Sequence, residues 1–289
     1  MQLSVSFPQD QTTMDSGAVR AFAQAVEDLG FDQLTVADHV LGADTTMRPS
    51  RAAGRYTVDD PFREPFILMA YLAAATKLLR LGTSIVILPQ RATVLVAKQM
   101  TELDILSGGR TMLGVGIGWN EVEFVALNQP FKNRARRVEE QIAVMRALWT
   151  ERSVTFHGEW HTIEAAGLTV MPIQRPIPIW MGGTAEPALR RIARLSDGWT
   201  ASTATPDEFV EQRDRFHGYV REAGRDPADV PVSPRAQVKG ADRDQWPSMA
   251  EAWRATGATH VALSTNSSGA ASVDEHIALL RGFVEAFGS

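Results

Sequence analysis

Cysteine is missing from all 289 positions. Its absence removes disulfides, thiolate nucleophiles, cysteine-ligated zinc and iron–sulfur clusters together, so redox chemistry would have to come from a bound organic cofactor. Positive charge is also short: 29 Lys and Arg stand against 34 Asp and Glu, for a net charge of −5, and they form no basic tract. This argues against a nucleic-acid partner. No apolar run could span a bilayer, and Met1 to Phe7 lacks a charged leader followed by an apolar core and a cleavage site. The expectation is therefore a cytoplasmic protein with no membrane partner, acting on a small molecule.

What is present is an ordinary globular composition, 44% hydrophobic and 22% charged. The length suits a single α/β barrel domain over 1–289, for which about 250 residues is typical. Short apolar runs alternate with longer amphipathic segments from end to end, the pattern of repeated βα units. Candidate strands are 3–7, 33–37, 80–88, 111–117, 178–182, 198–201, 230–236 and 260–264, and eight such units imply a closed (β/α)8 TIM barrel. Helical spacing is clear in Val19, Phe22, Ala23, Val26 and Leu29, ending at Gly30, and in Val138, Ile142, Met145 and Trp149, whose opposite face of Arg and Glu reads as solvated. Two stretches break the alternation, Gly42 to Glu64 and Ser153 to Pro178. They read as loop insertions at the C-terminal mouth, the first a candidate lid or substrate wall.

Several motifs fall at strand ends, where a barrel collects its chemistry. Asp38-His39 follows the second strand; an imidazole can exchange a proton near neutrality, and a carboxylate can fix its tautomer, although a lone histidine is more often structural. The segment from Leu81 to Ile85, with Gly82, Thr83 and Ser84, could let backbone approach a flat ring, or could simply carry a bulge. Gly114, Gly116 and Gly118 invite a dinucleotide-fold reading, which fails because no second strand with a terminal acid follows at the required distance. Trp180 to Thr184 runs from a strand into a helix with Thr184 as a candidate N-cap; the amides of Gly182, Gly183 and the first turn outline a phosphate site, or a capped helix with nothing bound. His157 and His161 have metal-like spacing, but only a helix would put them on one face, so no metal site is expected.

Taken together these segments resemble the bacterial luciferase-like monooxygenase superfamily, and within it the branch of oxidoreductases that use the deazaflavin coenzyme F420. The run LGTSIVILPQRATVLVAKQMTELDILSGGRTMLGVGIGW from Leu81 to Trp119 carries most of the likeness, with PIPIWMGG and LSDGW as a second block. The resemblance implies a cofactor ring across the C-terminal mouth, braced by a non-prolyl cis peptide at Ser84-Ile85. It implies Thr83, Ser84, Ile85, Ile117 and Gly118 around that ring, Asp38 at its head, Gly182, Gly183 and Thr184 on the phosphate, and His39 as the catalytic proton-transfer group. A homodimer is implied too.

The chain departs from the sugar-phosphate dehydrogenase branch at two positions: Trp119 replaces a glutamate acid, and Ala43 an active-site tryptophan. Sugar-phosphate oxidation is therefore not expected, and a more apolar substrate is. The leading expectation is hydride transfer between F420 and an unidentified small organic substrate. An FMN-dependent monooxygenase using molecular oxygen is the nearest alternative, and a non-catalytic flavin-binding barrel is an alternative of another class. A hydrolytic or lyase barrel would need paired carboxylates or metal ligands at several strand ends, which the sequence does not offer.

Overall fold

The computed structural model describes residues 1–9, 15–44, 46, 56–203 and 205–288. Its strands are β1 (Gln2–Ser6), β2 (Gln33–Val36), β3 (Arg80–Thr83), β4 (Val86–Ile87), β5 (Thr111–Gly116), β6 (Val154–His157), β7 (Thr162–Ala166), β8 (Ile179–Gly182), β9 (Gly198–Ala201), β10 (Val232–Gln237) and β11 (His260–Ser264). Its helices are α1 (Ser16–Asp28), α2 (Pro65–Ala75), α3 (Thr93–Ser107), α4 (Glu121–Ala126), α5 (Arg134–Thr150), α6 (Glu186–Leu195), α7 (Pro206–Glu222), α8 (Trp246–Ala255) and α9 (Val273–Gly288).

The strand order β3-β2-β1-β11-β10-β9-β8-β5 closes on itself through Leu81↔Thr111 and Gly82↔Met112, and every pairing is parallel. With β3 and β4 counted as one interrupted strand, this is the eight-stranded barrel the alternation implies. The run from Arg80 to Leu88 is broken where the sequence suggests continuity: the Ser84–Ile85 peptide is cis, and beyond it Val86 and Ile87 pair with Val115 and Gly116. The other strand bounds move by a residue or two.

Helix faces follow the periodicity closely. Val19, Phe22, Ala23 and Val26 of α1 are buried, Asp15 accepts the Ala18 amide as its cap, and the chain leaves through Gly30. In α5 the apolar stripe of Val138, Ile142, Met145 and Trp149 is buried as expected. Its polar face is not simply solvated, however. Arg137 is buried and donates to the Pro89 carbonyl, and Gln141 donates to the Leu88 carbonyl at 3.2 Å and to Thr93 Oγ1 at 3.0 Å. A short segment after β4 leaves those carbonyls without ladder partners, and α5 supplies them. At the barrel's base Trp180 meets His260 edge-on at 5.1 Å, and burial pushes the His260 imidazole down to about 4.

The two insertions differ. Residues 45 and 47–55 of the first lie outside the described residues; the rest returns to the mouth, with Ala43 bridged to Thr57. The second forms the antiparallel hairpin β6–β7, tied down by His161, which lies between Glu140 Oε1 at 2.7 Å and Thr93 Oγ1 at 2.6 Å. Among the described residues no helix is long and apolar enough to cross a membrane.

Candidate active site

A cavity of about 540 Å³ opens at the C-terminal ends of the barrel strands, and each strand contributes to its wall, from Ser6 of β1 to Ser264 of β11. Ile85 stands at its centre. An ideal Cβ on Gly116 would lie 2.5 Å from Ile85 Cδ1, and one on Gly182 would lie 3.2 Å from Ile85 Cγ2. The two glycines therefore leave room for one isoleucine from a third strand, and the three together form an apolar shelf in the cavity wall.

His39 follows β2 and reaches into the same space. Its ring is flanked by Tyr56 at 4.7 Å, Phe62 at 4.8 Å and Trp119 at 5.8 Å between centroids. Behind it lies the fully buried carboxylate of Glu123, on α4, 3.2 and 3.3 Å from Nδ1. The same carboxylate accepts the amides of Val40 at 2.7 Å and Leu41 at 3.2 Å, and Gln90 Nε2 at 3.2 Å. Burial works to raise its pKa, but these bonds, led by His39, outweigh burial and hold Glu123 below the usual carboxylate value. An ionised Glu123 accepts only, so Nδ1 carries the proton between them and Nε2 is the atom left for chemistry in the cavity.

The residues singled out from the sequence divide into two groups. Ser84, Ile85, Ile117, Gly118, Gly182, Gly183, Asp38 and His39 all line the one cavity. Asp38 does so with its carboxylate already committed: it takes the Ile87 amide at 3.0 Å and Arg91 at 2.8 and 3.2 Å, and Arg91 in turn holds Glu64 at 2.9 Å. Burial works to lower the Arg91 pKa, but Asp38 and Glu64 outweigh it and raise it. Thr83 and Thr184 are not among the lining residues. The Thr83 hydroxyl is fully buried, donating to the Gly114 carbonyl at 2.7 Å and accepting the Gly114 amide at 3.0 Å, so it locks β3 to β5.

The helix terminus also departs from expectation. Ala185, not Thr184, is the N-cap of α6, because the helix starts one residue later than a threonine cap requires; Pro187 has no N–H, and the Ala188 amide returns to Ala185 at 2.9 Å. The first turn is thereby spent. The Thr184 amide, between the β8 ladder and that helix, forms no hydrogen bond among the described residues, and it is a donor an anion would meet.

Sequence reasoning missed Glu123, Tyr56, Phe62 and Arg235. Glu123 had a signal: an acid within one turn of the strand-end glycines, on a helix whose cap, Asn120, accepts the Val122 amide at 3.2 Å. Tyr56 and Phe62 were the aromatics of an otherwise polar insertion, and Arg235 the only charge in a strand-length run.

The sequence model of a family described as luciferase-like monooxygenase matches residues 1–279. Among curated relatives, an uncharacterised protein of Mycobacterium tuberculosis is 38% identical over 208 residues, 70% of this chain and 71% of its own. An FMNH(2)-dependent dimethylsulfone monooxygenase of Pseudomonas putida is 32% identical over 68% of this chain and 51% of its own. An F420-dependent glucose-6-phosphate dehydrogenase of Gordonia bronchialis is 28% identical over 73% of this chain and 60% of its own. In structure the chain is similar to an F420-dependent secondary alcohol dehydrogenase, with a TM-score of 0.80 at 20% identity over 99% of this chain and 98% of that one. The monooxygenase RslO1 of Streptomyces bottropensis gives 0.75 at 20% identity, over 99% and 98%.

Proposed function

Because the chain belongs to the luciferase-like monooxygenase family, we propose that it is an oxidoreductase that holds coenzyme F420 across the barrel mouth and passes a hydride between it and a small organic substrate. The observation that carries this reading is one cavity joining the Ile85 shelf, the Gly182–Gly183 turn and the His39–Glu123 pair. The residues fit such a group: Gly116 and Gly182 lack the Cβ that would crowd the shelf, and the Thr184 amide beside the Gly182–Gly183 turn has no partner among the described residues. When bound, the ring supplies two-electron redox chemistry that none of the twenty side chains offers.

The rest falls to the chain. Glu123 fixes the tautomer and direction of His39, so that Nε2 exchanges a proton with the substrate atom whose charge changes. Tyr56, Phe62 and Trp119 keep bulk water from that imidazole and give the substrate an apolar wall. Arg91 neutralises Asp38, leaving no free carboxylate there to repel an anionic cofactor. FMN in place of F420, with oxygen as co-substrate, is the second reading, favoured by the name of the 32% identical relative.

A second copy of the chain completes the proposed enzyme. Helices α2 and α3 pack on one another and leave Ile67, Leu95 and Leu106 exposed at 74, 57 and 68%. Apolar side chains so exposed on neighbouring helices fit a two-fold interface.

Anaerobic titration with F420 and with FMN, followed by fluorescence, tests the cofactor. Saturable binding of F420 tighter than that of FMN is expected. Tight FMN binding with oxygen consumption would move the assignment to the second reading, and binding of neither would end both.

A further inference from the structure

The cavity is unevenly charged. The carboxylates in its wall are engaged: Asp38 by Arg91, and Asp60 by the Thr57 amide at 2.7 Å and hydroxyl at 3.0 Å. Arg235 is not. It lies on β10 level with Ala262 of β11, its side chain lines the cavity, and its guanidinium forms no hydrogen bond or ion pair among the described residues. Tyr56, Ser6 and Ser264 line the same cavity. Burial works against the charged form and lowers the pKa, yet from so high a starting value the group stays cationic at neutral pH. A half-buried cation that faces a cavity without a partner is a group a ligand can complete.

Resting on the oxidoreductase reading above, we propose that Arg235 is the anion-recognition group of the substrate subsite. The substrate is then a small organic acid, its carboxylate against Arg235 and its apolar end among Tyr56, Phe62 and Trp119 beside His39. A single planar guanidinium matches a carboxylate fork, whereas a phosphate dianion ordinarily meets several cations or a helix terminus. Tyr56 touches the His39 ring and lines the cavity that Arg235 also lines. The apolar substrate expected from Trp119 and Ala43 thereby gains a charged end.

Calorimetry on the cofactor-free protein with benzoate, phenylacetate and hexanoate, against benzyl alcohol and hexanol, tests this directly. Wild type should favour the acids. R235Q should weaken them about 10- to 100-fold, as expected for a charge-assisted pair, and change the alcohols little. R235K, which keeps charge but not the fork, should fall between. The Tm of R235Q should equal or exceed that of wild type, so misfolding cannot imitate the result. Equal binding of acids by wild type and R235Q, no preference for acids over alcohols, or no acid binding to wild type at millimolar concentrations would overturn the proposal. So would an R235Q that binds F420 or FMN more weakly but keeps its acids, since Arg235 would then serve the ring's own anionic edge. If wild type binds neither cofactor yet takes acids through Arg235, the oxidoreductase reading fails and the anion subsite stands.

Discussion

Replacing Glu123 by glutamine changes one atom and should disturb both stability and chemistry. The carboxylate accepts four N–H groups in a fully buried position: Val40, Leu41, Gln90 and His39. Glutamine keeps an oxygen for Val40, Leu41 and the nearer His39 contact but turns an NH2 toward Gln90 Nε2, a donor, and toward the second His39 contact. About two charge-assisted bonds are lost, at roughly 1.5–2 kcal/mol each, so a destabilisation of about 3–4 kcal/mol and a Tm lower by about 6–15 °C is expected. The neutral amide also no longer stabilises an imidazolium at His39 and no longer fixes its tautomer as an acceptor-only carboxylate does, which should cut turnover about 100-fold or more. Folding holds Glu123 below its ordinary 4.5, so its contribution is fully present above that value and is lost as pH falls through the lower folded one. The gap in stability between wild type and E123Q should therefore be widest near pH 7 and close in acid. Urea unfolding at pH 7, 5 and 3.5 measures it. A variant within about 1 kcal/mol of wild type at pH 7 would show that these bonds do not organise the site.

Three further outcomes follow from the same geometry. H39A should lower kcat about 10²- to 10⁴-fold while leaving cofactor affinity nearly unchanged, and equal losses in both would place His39 against the cofactor instead. In G116A the new Cβ meets Ile85 Cδ1 at 2.5 Å, displacing the shelf; cofactor binding should weaken about tenfold at a cost of about 1–3 kcal/mol in stability, and I85V, which lacks Cδ1, should restore part of it. I67R puts a charge on a residue 74% exposed between α2 and its neighbours; light scattering should find wild type at twice 31.7 kDa and the variant at half the wild-type mass, and a monomeric wild type would remove the dimer.

Period and punctuation carried the barrel. Leu34, Val36, Leu81, Leu113 and Val115 are buried in strands that alternate with amphipathic helices, and local sequence encodes both. The interruption of the third strand was legible only by resemblance, since nothing in Ser84-Ile85 alone distinguishes it. The glycines at 116 and 182 were visible, but their reason, a side chain from another strand, is tertiary. The Thr184 cap failed by one residue because a threonine before a helix looks alike at either position, and the bonding of the Thr83 hydroxyl to β5 was not legible because a strand-end hydroxyl can face the mouth or its neighbouring strand with the same sequence. Glu123 was hidden by its distance from His39 along the chain: a pair 84 residues apart has no local signature. Arg235 was overlooked because an inward arginine in a strand is legible only once the inside is known.

The most direct measurement is a crystal structure of the chain grown with F420. The ring should lie in van der Waals contact with Ile85, its phosphate at the Gly182–Gly183 turn beside the Thr184 amide, and the His39 imidazole should face the ring across the substrate space. A ring seated outside the eight strand ends, or a phosphate held away from the Gly182–Gly183 turn, would contradict the site as described.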